Sequence, residues 1–324
     1  MSLKPKALIV APEGYQLKKS EKKLYQKHRP FGFILFSRNI KDPQQTKRLC
    51  DDLRMAISDS SAPIFIDQEG GRVQRMQPPN WPQYKAASYF AELFKHNPIN
   101  AKEALLQQTK MIAKDLWRSG INANCAPVCD LFYANGDAVI SDRAYGGVPS
   151  QVIELANIVA KTYMEVGIYP VIKHIPGHGL ANVDSHLELP VVKASLEELE
   201  QRDFLVFKAL KHYLFAMSAH IVYQALDPDA CVTCSTKAIH YIRNEIGFNG
   251  LLMSDDLSMG ALKDKTKIND TPVWQVPVFL KALKSGCDLG LYCAGDFAES
   301  RALLDAAPEI SDEAWQKWQQ QIKI

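Results

Sequence analysis

The sequence predicts an α/β protein built as a single (β/α)8 TIM barrel. Eight short apolar runs recur along the chain, and each ends in polar or small residues. Helical patterns separate these runs, and strands that alternate with helices predict a parallel sheet. The length of 324 residues suits a barrel of this kind. No repeat, low-complexity tract or Pro/Ser-rich linker divides the sequence, so we expect residues 1–324 to form one domain.

The eight predicted strands are apolar and rich in strand-forming residues. They cover residues 7–12, 33–38, 63–69, 122–130, 169–174, 214–220, 250–256 and 288–294. An open, doubly wound sheet usually has fewer strands, and a phosphate-binding G-x-G-x-x-G turn often follows its first one. Here the first strand is followed by Glu13-Gly14, which lacks that fingerprint. The barrel is therefore the better prediction.

Helix start and stop signals lie between the strands. We expect helices over residues 44–56, 98–119, 149–166 and 272–285, and a long one that begins at Ser195. Asp42-Pro43 opens the first helix. Gly120, Gly167 and Gly286 end the next three. The charges of the helix from Ser195 run from acidic to basic, as the helix dipole favours.

The composition excludes several classes of partner. A net charge of +2 without a Lys/Arg-rich block gives no electrostatic basis for binding nucleic acid or an anionic membrane. No apolar run approaches the roughly 20 residues of a membrane span. The N-terminal run is too short for a signal peptide.

Seven cysteines, an odd number, indicate reduced thiols in the cytoplasm. Cys231 and Cys234 have metal-like spacing but no second pair, so we expect plain thiols there.

Polar residues concentrate at the C-terminal ends of the predicted strands. These ends carry Arg38, Asp67-Gln68-Glu69, Asp130, Lys173-His174, His220 and Asp255-Asp256. In (β/α)8 barrels the working residues sit at this end of the strands. The sequence therefore predicts a functional site there.

The loop after the fifth strand, KHIPGHGLANVDSHLELP at residues 173–190, leaves three chemistries open. His174 and His178 are four residues apart, a metal-binding spacing on a helix. Pro176 and Gly177 disfavour a helix here, which weakens the metal interpretation but leaves it open. A Ser–His–Asp triad needs a strained turn such as G-x-S-x-G, and the sequence has none.

The third possibility is a carboxylate–histidine pair that acts as a general acid. Asp184 and His186 are two residues apart, so on an extended segment their side chains point the same way. A carboxylate bonded to one imidazole nitrogen fixes the tautomer and stabilises the protonated ring. A nucleophile is then needed opposite, and Asp255 at the end of the seventh strand offers one.

Three motifs, in this chain order, resemble glycoside hydrolase family 3. Residues 66–75, IDQEGGRVQR, resemble the sugar-binding segment of the family's bacterial β-N-acetylglucosaminidases of the NagZ type. KHIPGHG at 173–179, with Asp184-Ser185-His186, resembles their acid/base loop. IRNEIGFNGLLMSD at 242–255 looks like the nucleophile signature. The similarity runs from Glu13 to about Cys293, which is most of the chain.

The chain departs from the family pattern at a few positions. Tyr241 stands where the signature prefers an aliphatic residue, and Ile175 where the loop usually has an aromatic one. The segment after Gly260 is less familiar, which leaves substrate contacts there open. The family's two-domain β-glucosidases take a glutamate acid from a second domain. We expect no such domain here, which favours the Asp184–His186 pair.

The resemblance implies a retaining mechanism. Asp255 would be the nucleophile, His186 the acid/base and Asp184 the residue that orients it. The residues that match the family's sugar contacts are Asp67, Arg75, Arg143, Lys173 and His174.

Plainer structural roles stay open at several of these positions. Asp255 could instead cap a helix, although Asp256 fits that role as well. Asp184 and His186 could form a hydrogen bond that only stabilises the loop. Arg75 could form a salt bridge with Glu69. The sequence assigns no role to His178. It leaves two positions open for His220, whose side chain could line the pocket or lie in the core.

The function that the resemblance implies is an exo-acting β-N-acetylglucosaminidase with no cofactor and no metal. Its substrate would be a peptidoglycan fragment, N-acetylglucosamine linked to 1,6-anhydro-N-acetylmuramic acid with or without peptide, in cell-wall recycling. We expect a cytoplasmic monomer with no nucleic-acid or membrane partner. Two alternatives are a phosphorylase, in which phosphate replaces water, and a non-catalytic sugar-binding barrel.

Overall fold

A computed structural model describes residues 4–134, 136, 139–181, 189–263 and 273–322. Eight strands close into a barrel in which neighbours run parallel and the eighth pairs with the first. The strands, in chain order, are Lys6–Val10, Pro30–Leu35, Ile64–Ile66, Ala123–Asn124, Tyr169–Ile175, Phe215–Ser218, Leu251–Asp256 and Leu289–Tyr292. The predicted (β/α)8 barrel is confirmed, with all eight strands in the predicted order.

The fourth strand is much shorter than the predicted 122–130. Regular pairing covers only Ala123–Asn124, and beyond it a single bridge joins Val128 to Lys173. Pro127 lies between them, and proline has no backbone N–H to donate to a neighbouring strand. The chain nevertheless continues along the barrel wall, which carries Asp130 to the same end as the other strand termini.

The helices surround the barrel. They are Lys19–His28, Pro43–Ala56, Ala87–His96, Pro98–Arg118, Pro149–Glu165, Leu196–Gln201, Asp203–Leu210, Thr236–Tyr241, Gln275–Ser285, Phe297–Ala306 and Asp312–Ile322. Asp42 caps the second helix by accepting from the N–H of Gln45, as its position before Pro43 predicts. None of the described helices is both long and apolar enough to cross a bilayer.

The prediction of one long helix from Ser195 is wrong. Two short helices, Leu196–Gln201 and Asp203–Leu210, meet at Arg202, whose φ of −127° and ψ of −89° are not helical. The break lets the second helix bury Phe204 and Phe207 in the core. It also buries Asp203, whose carboxylate accepts from the Tyr133 hydroxyl at 2.6 Å. Burial of these side chains outweighs the helical pattern of the sequence.

Aromatic side chains close the N-terminal end of the barrel. Phe215 contacts Phe65 edge-to-face, with 5.4 Å between ring centroids. Trp318, on the C-terminal helix, packs across this end against Phe31 at 5.4 Å and Phe215 at 5.9 Å. The polar side chains that line a cavity lie at the opposite end, where the strands terminate.

Candidate active site

The C-terminal ends of the strands surround a cavity of about 370 Å³. Inward-facing apolar side chains of the barrel, Ile34, Met217 and Leu291, line its floor. The predicted site residues that line the cavity are Asp67, Arg75, Arg143, Lys173, His174 and Asp255. The structure thus brings together every predicted site residue that it describes. Asp184 and His186 lie outside the described residues.

Two carboxylates and three cations form a largely buried ion network along one wall. Lys173 Nζ lies 2.9 Å from Asp67 Oδ1 and 2.7 Å from Glu69 Oε1. Arg75 donates to Asp67 Oδ2 at 3.0 Å. Arg143 donates to both oxygens of Glu69 at 2.8 Å each. Arg75 therefore pairs with Asp67, and the salt bridge with Glu69 that the sequence left open is not formed, because Glu69 is engaged by Arg143 and Lys173.

The opposite charges keep this network ionised despite its burial. Burial alone would raise the pKa of Asp67, but Lys173 and Arg75 hold that pKa well below its ordinary range. Burial would likewise raise the pKa of Glu69, but Arg143 and Lys173 outweigh burial and lower the pKa of Glu69 to about 2. The pKa of Lys173 is raised, since its two carboxylate partners outweigh burial. Charged donors and acceptors of fixed orientation are what a sugar pocket requires.

His174 is oriented by Asp130, which is fully buried. Asp130 Oδ2 lies 2.7 Å from His174 Nδ1, and Oδ1 accepts from the backbone N–H of His174 at 3.0 Å. Burial would raise the pKa of Asp130, but His174 lowers it. An ionised carboxylate only accepts, so Nδ1 of His174 carries a proton and the ring is held in one orientation.

His178 packs edge-on against His174, with 5.3 Å between the ring centroids. Burial and the neighbouring His174 lower the pKa of His178 to about 4, so its ring is neutral at pH 7. Within the described part of the chain, no group of three His, Cys, Asp or Glu side chains is arranged to hold a metal ion. His186, the third histidine of the possible metal set, lies outside that part.

Asp255 and Asp256 are adjacent at the end of the seventh strand, and their carboxylates have different hydrogen-bond partners. The Asp256 carboxylate accepts from the N–H and the hydroxyl of Ser258 and from the N–H of Cys293. One hydrogen bond from the described residues reaches the Asp255 carboxylate, the N–H of Asp256 at 2.8 Å from Oδ1. Both residues line the cavity, but Asp256 caps the turn, whereas Oδ2 of Asp255 accepts no hydrogen bond from the described residues.

The charge of Asp255 follows from its surroundings. Burial would raise its pKa, but the nearby His174 and His220 and the N–H of Asp256 lower that pKa below its ordinary value. Asp255 is therefore a carboxylate at neutral pH.

Tyr223 holds both ends of the segment that contains Asp184 and His186. On the outgoing side, its hydroxyl donates to the carbonyl of Gly177 at 2.8 Å. On the returning side, Val222–Tyr223 pairs in parallel with Val191–Val192. The described ends of this segment are thus fixed at the same end of the barrel as Asp255.

Sequence reasoning missed the partners that hold the cavity residues in place. It gave no role to Glu69 beyond the possible bond with Arg75, and none to Asp130. The only available signal was their position at strand ends.

A larger cavity, of about 900 Å³, opens at the opposite end of the barrel beside Tyr213 and Lys317, and its lining includes none of the predicted site residues.

Comparisons with known proteins agree with the motifs. The model of the glycosyl hydrolase family 3 N-terminal domain matches residues 4–321. A beta-hexosaminidase of Alkalilimnicola ehrlichii is 33% identical over 289 residues, which cover 88% of this chain and 80% of that protein. A beta-hexosaminidase of Pseudomonas aeruginosa is 33% identical over 280 residues, which cover 86% and 79%.

A solved structure extends the similarity to the whole fold. The crystal structure of NagZ from Neisseria gonorrhoeae in complex with N-trifluoroacetyl-D-glucosamine superposes with a TM-score of 0.88 at 27% identity. The match covers 98% of this chain and 90% of that one.

The ion network leads to a prediction about stability and pH. Glu69→Gln should lower the free energy of unfolding at pH 7 by on the order of 3 kcal/mol, because Arg143 and Lys173 lose a buried partner. The folded-state pKa of Glu69, about 2, lies below its ordinary 4.5. The stabilisation is therefore present above pH 4.5 and is lost as the pH falls toward 2. Urea unfolding at a series of pH values should show the gap between wild type and variant narrowing over that range.

The matched control is Glu92→Gln, which removes an exposed ion pair with Lys95. Its unfolding should stay close to wild type at every pH. A gap for Glu69→Gln that stays constant from pH 7 to pH 2 would contradict the assignment of Glu69 as an ionised anchor of the network.

Proposed function

Because the chain belongs to glycoside hydrolase family 3 and is a hydrolase of the β-N-acetylhexosaminidase class, we propose that it is a retaining, exo-acting β-N-acetylglucosaminidase. The observation that carries the proposal is the Asp255 carboxylate. It is ionised, lies in a cavity closed below by the barrel core, and shares that cavity with Asp67, Arg75, Lys173 and His174. A closed floor admits one terminal sugar and leaves the rest of the substrate outside.

The proposed reaction has two steps on a sugar bound in this cavity. In the first, an Asp255 oxygen attacks the anomeric carbon while His186 donates a proton to the departing glycosidic oxygen. The products are a glycosyl-aspartate and the free aglycone. In the second, His186 takes a proton from water, the water oxygen attacks the same carbon, and the Asp255 carboxylate is released. Two inversions leave the β configuration unchanged.

Asp184 is assigned to orient His186 in both steps. Its carboxylate would hold one imidazole nitrogen and stabilise the protonated ring that forms when water is deprotonated. We assign Asp67, Arg75, Arg143, Lys173 and His174 to the hydroxyl groups of the bound sugar. The network supports this assignment because its members are charged and already held in place, so binding costs them little reorganisation.

We further propose that the natural substrates are peptidoglycan fragments that end in N-acetylglucosamine linked to 1,6-anhydro-N-acetylmuramic acid. On this proposal residues 1–324 form one catalytic domain that acts as a cytoplasmic monomer in cell-wall recycling. The motif resemblance to the NagZ type supports it, as does the similarity to a NagZ structure that holds an N-acylated glucosamine.

Substrate range tests this function. A chromogenic β-N-acetylglucosaminide should turn over at least about 100-fold faster than its glucoside counterpart. The disaccharide fragment should release free N-acetylglucosamine, detected by mass spectrometry, at the same rate with and without phosphate. A sugar 1-phosphate product would identify a phosphorylase instead, and binding without turnover would identify a sugar-binding barrel.

The nucleophile can be identified directly. Asp255→Ala should lower turnover by about 10⁴-fold or more and leave the thermal unfolding midpoint close to wild type. A slow fluorosugar substrate should label wild type on one peptide that contains residue 255. The label should be absent from the Asp255→Ala variant. Labelling at Asp256 or Asp67 would contradict the assignment.

The acid/base role of His186 predicts a dependence on the leaving group. A good leaving group departs without a proton, so His186→Ala should slow the first step severely for a sugar aglycone and much less for an activated aryl one. Azide should restore part of the second step and yield a β-glycosyl azide, because it needs no base. Aryl glycosides of graded leaving-group pKa measure the effect.

Asp184→Ala should show the same dependence in milder form, since His186 keeps its nitrogen but loses its orienting partner. Equal losses across the series for His186→Ala, with no azide product, would mean that the proton comes from another group.

A further inference from the structure

A chain of buried hydrogen bonds lies behind Asp255, and the reaction steps above do not use it. His220 follows the sixth strand, is fully buried and does not line the cavity. Its Nε2 lies 3.2 Å from the backbone carbonyl oxygen of Asp256, and its Nδ1 lies 2.8 Å from Thr233 Oγ1. His220 therefore contacts the residue next to the proposed nucleophile, while it is itself shielded from substrate.

The direction of these bonds follows from the groups involved. A carbonyl oxygen only accepts, so His220 Nε2 must carry a proton. The Thr233 hydroxyl can then donate to Nδ1, and the Ser218 hydroxyl, 2.8 Å from Thr233 Oγ1, can donate in turn. The carbonyl of Ala219 is a more distant acceptor for Thr233, at 3.2 Å. Ser218, Thr233 and His220 are all fully buried, where an unmade hydrogen bond is costly.

Asp256 is held through three of its groups. Its carbonyl accepts from His220, and its carboxylate accepts from Ser258 and from the N–H of Cys293. Its own N–H donates to Asp255 Oδ1 at 2.8 Å. The orientation of the Asp255 carboxylate thus depends on the N–H of a residue whose carbonyl is bonded to His220 and whose carboxylate is bonded to the turn.

We propose that His220 is a positioning residue for the nucleophile, acting through Asp256, with Thr233 holding its ring. The inference rests on the proposed role of Asp255. Attack on the anomeric carbon requires reacting atoms about 3–3.5 Å apart, and a displacement of about 1 Å can cost about 100-fold in rate. A group that restrains the backbone of Asp256, and through it the N–H bonded to Asp255, therefore acts on the rate of bond formation rather than on sugar binding.

A pair of substitutions at His220 separates the hydrogen bond from the space that the ring fills. His220→Phe keeps a planar ring and removes both nitrogens. His220→Gln keeps an N–H near the position of Nε2. The measurement is the single-turnover rate constant for labelling by a fluorosugar, expressed per labelled site so that misfolded protein does not count, together with the KM of an aryl substrate.

His220→Phe should slow labelling by about 10- to 100-fold. Its KM should stay within about 2-fold of wild type, since sugar contacts are unchanged. His220→Gln should recover a large part of the rate. The matched control is His212→Phe, a histidine on the exposed surface, which should label at the wild-type rate.

Thr233 offers a second test that does not depend on the folding of the His220 variants. Thr233→Val has nearly the same shape but lacks the hydroxyl, so it should slow labelling by roughly 3- to 10-fold, with KM again unchanged. Thr233→Ser restores the hydroxyl and should restore the rate.

The outcomes distinguish this inference from the proposed function. If wild type is labelled at a residue other than Asp255, the proposed function fails. If wild type is labelled at Asp255 but His220→Phe and Thr233→Val react at the wild-type rate, only the positioning role fails. Equal losses of labelling rate in His220→Phe and His220→Gln would also overturn the positioning role, because the rate would then not depend on the N–H that His220 donates.

Discussion

The buried ammonium group of Lys173 is the charge around which the active end of the barrel is arranged. Only 2% of this side chain is exposed, and an unpaired cation there would be strongly destabilising. Asp67 and Glu69 compensate it from the end of the third strand, 106 and 104 residues earlier in the chain. Two carboxylates around one ammonium leave one negative charge in excess, and Arg75 and Arg143, which pair with those carboxylates, bring the five groups to a net charge of +1.

Such a network contributes less stability than apolar packing of the same volume would, and dense apolar packing lies at the opposite end of the barrel. Desolvated ion pairs contribute little net free energy compared with apolar packing of the same volume. At the N-terminal end, Phe31, Phe65, Phe215 and Trp318 pack edge-to-face or tilted without polar groups between them. The barrel thus separates stability from substrate binding along its axis. Apolar layers lie at the N-terminal end of the strands, and fixed charges lie at the C-terminal end.

Periodicity and turn chemistry were enough to predict the eight strands and the end of the barrel that carries the site. Strand ends are local features, so Asp67, Lys173, His174 and Asp255 could be placed at one edge from sequence alone. The structure departs from the predicted elements where tertiary contacts determine the local conformation. Arg202 interrupts a predicted helix because Asp203 and its neighbours are buried, and that burial has no local signal.

Pairing between distant residues was the least predictable feature. Arg75 could reach either Asp67 or Glu69 by sequence distance, and the choice of Asp67 depends on Arg143 occupying Glu69 from 74 residues away. The contact of Asp130 with His174 spans 44 residues and depends on the path of the short fourth strand. The position of Asp255 could be predicted from its place at a strand end, whereas the contacts that hold the cavity residues required the fold.

The two adjacent aspartates at the end of the seventh strand illustrate the same division on the smallest scale. Burial raises the pKa of Asp256, and repulsion from the neighbouring Asp255 carboxylate raises it further. Three hydrogen bonds from Ser258 and Cys293 lower that pKa in part. Asp255 receives a single bond from the described residues, and that bond comes from the backbone of Asp256. The carboxylate with three hydrogen bonds thus belongs to the residue proposed to orient its neighbour, and among the described residues none donates to the second oxygen of Asp255, the proposed nucleophile.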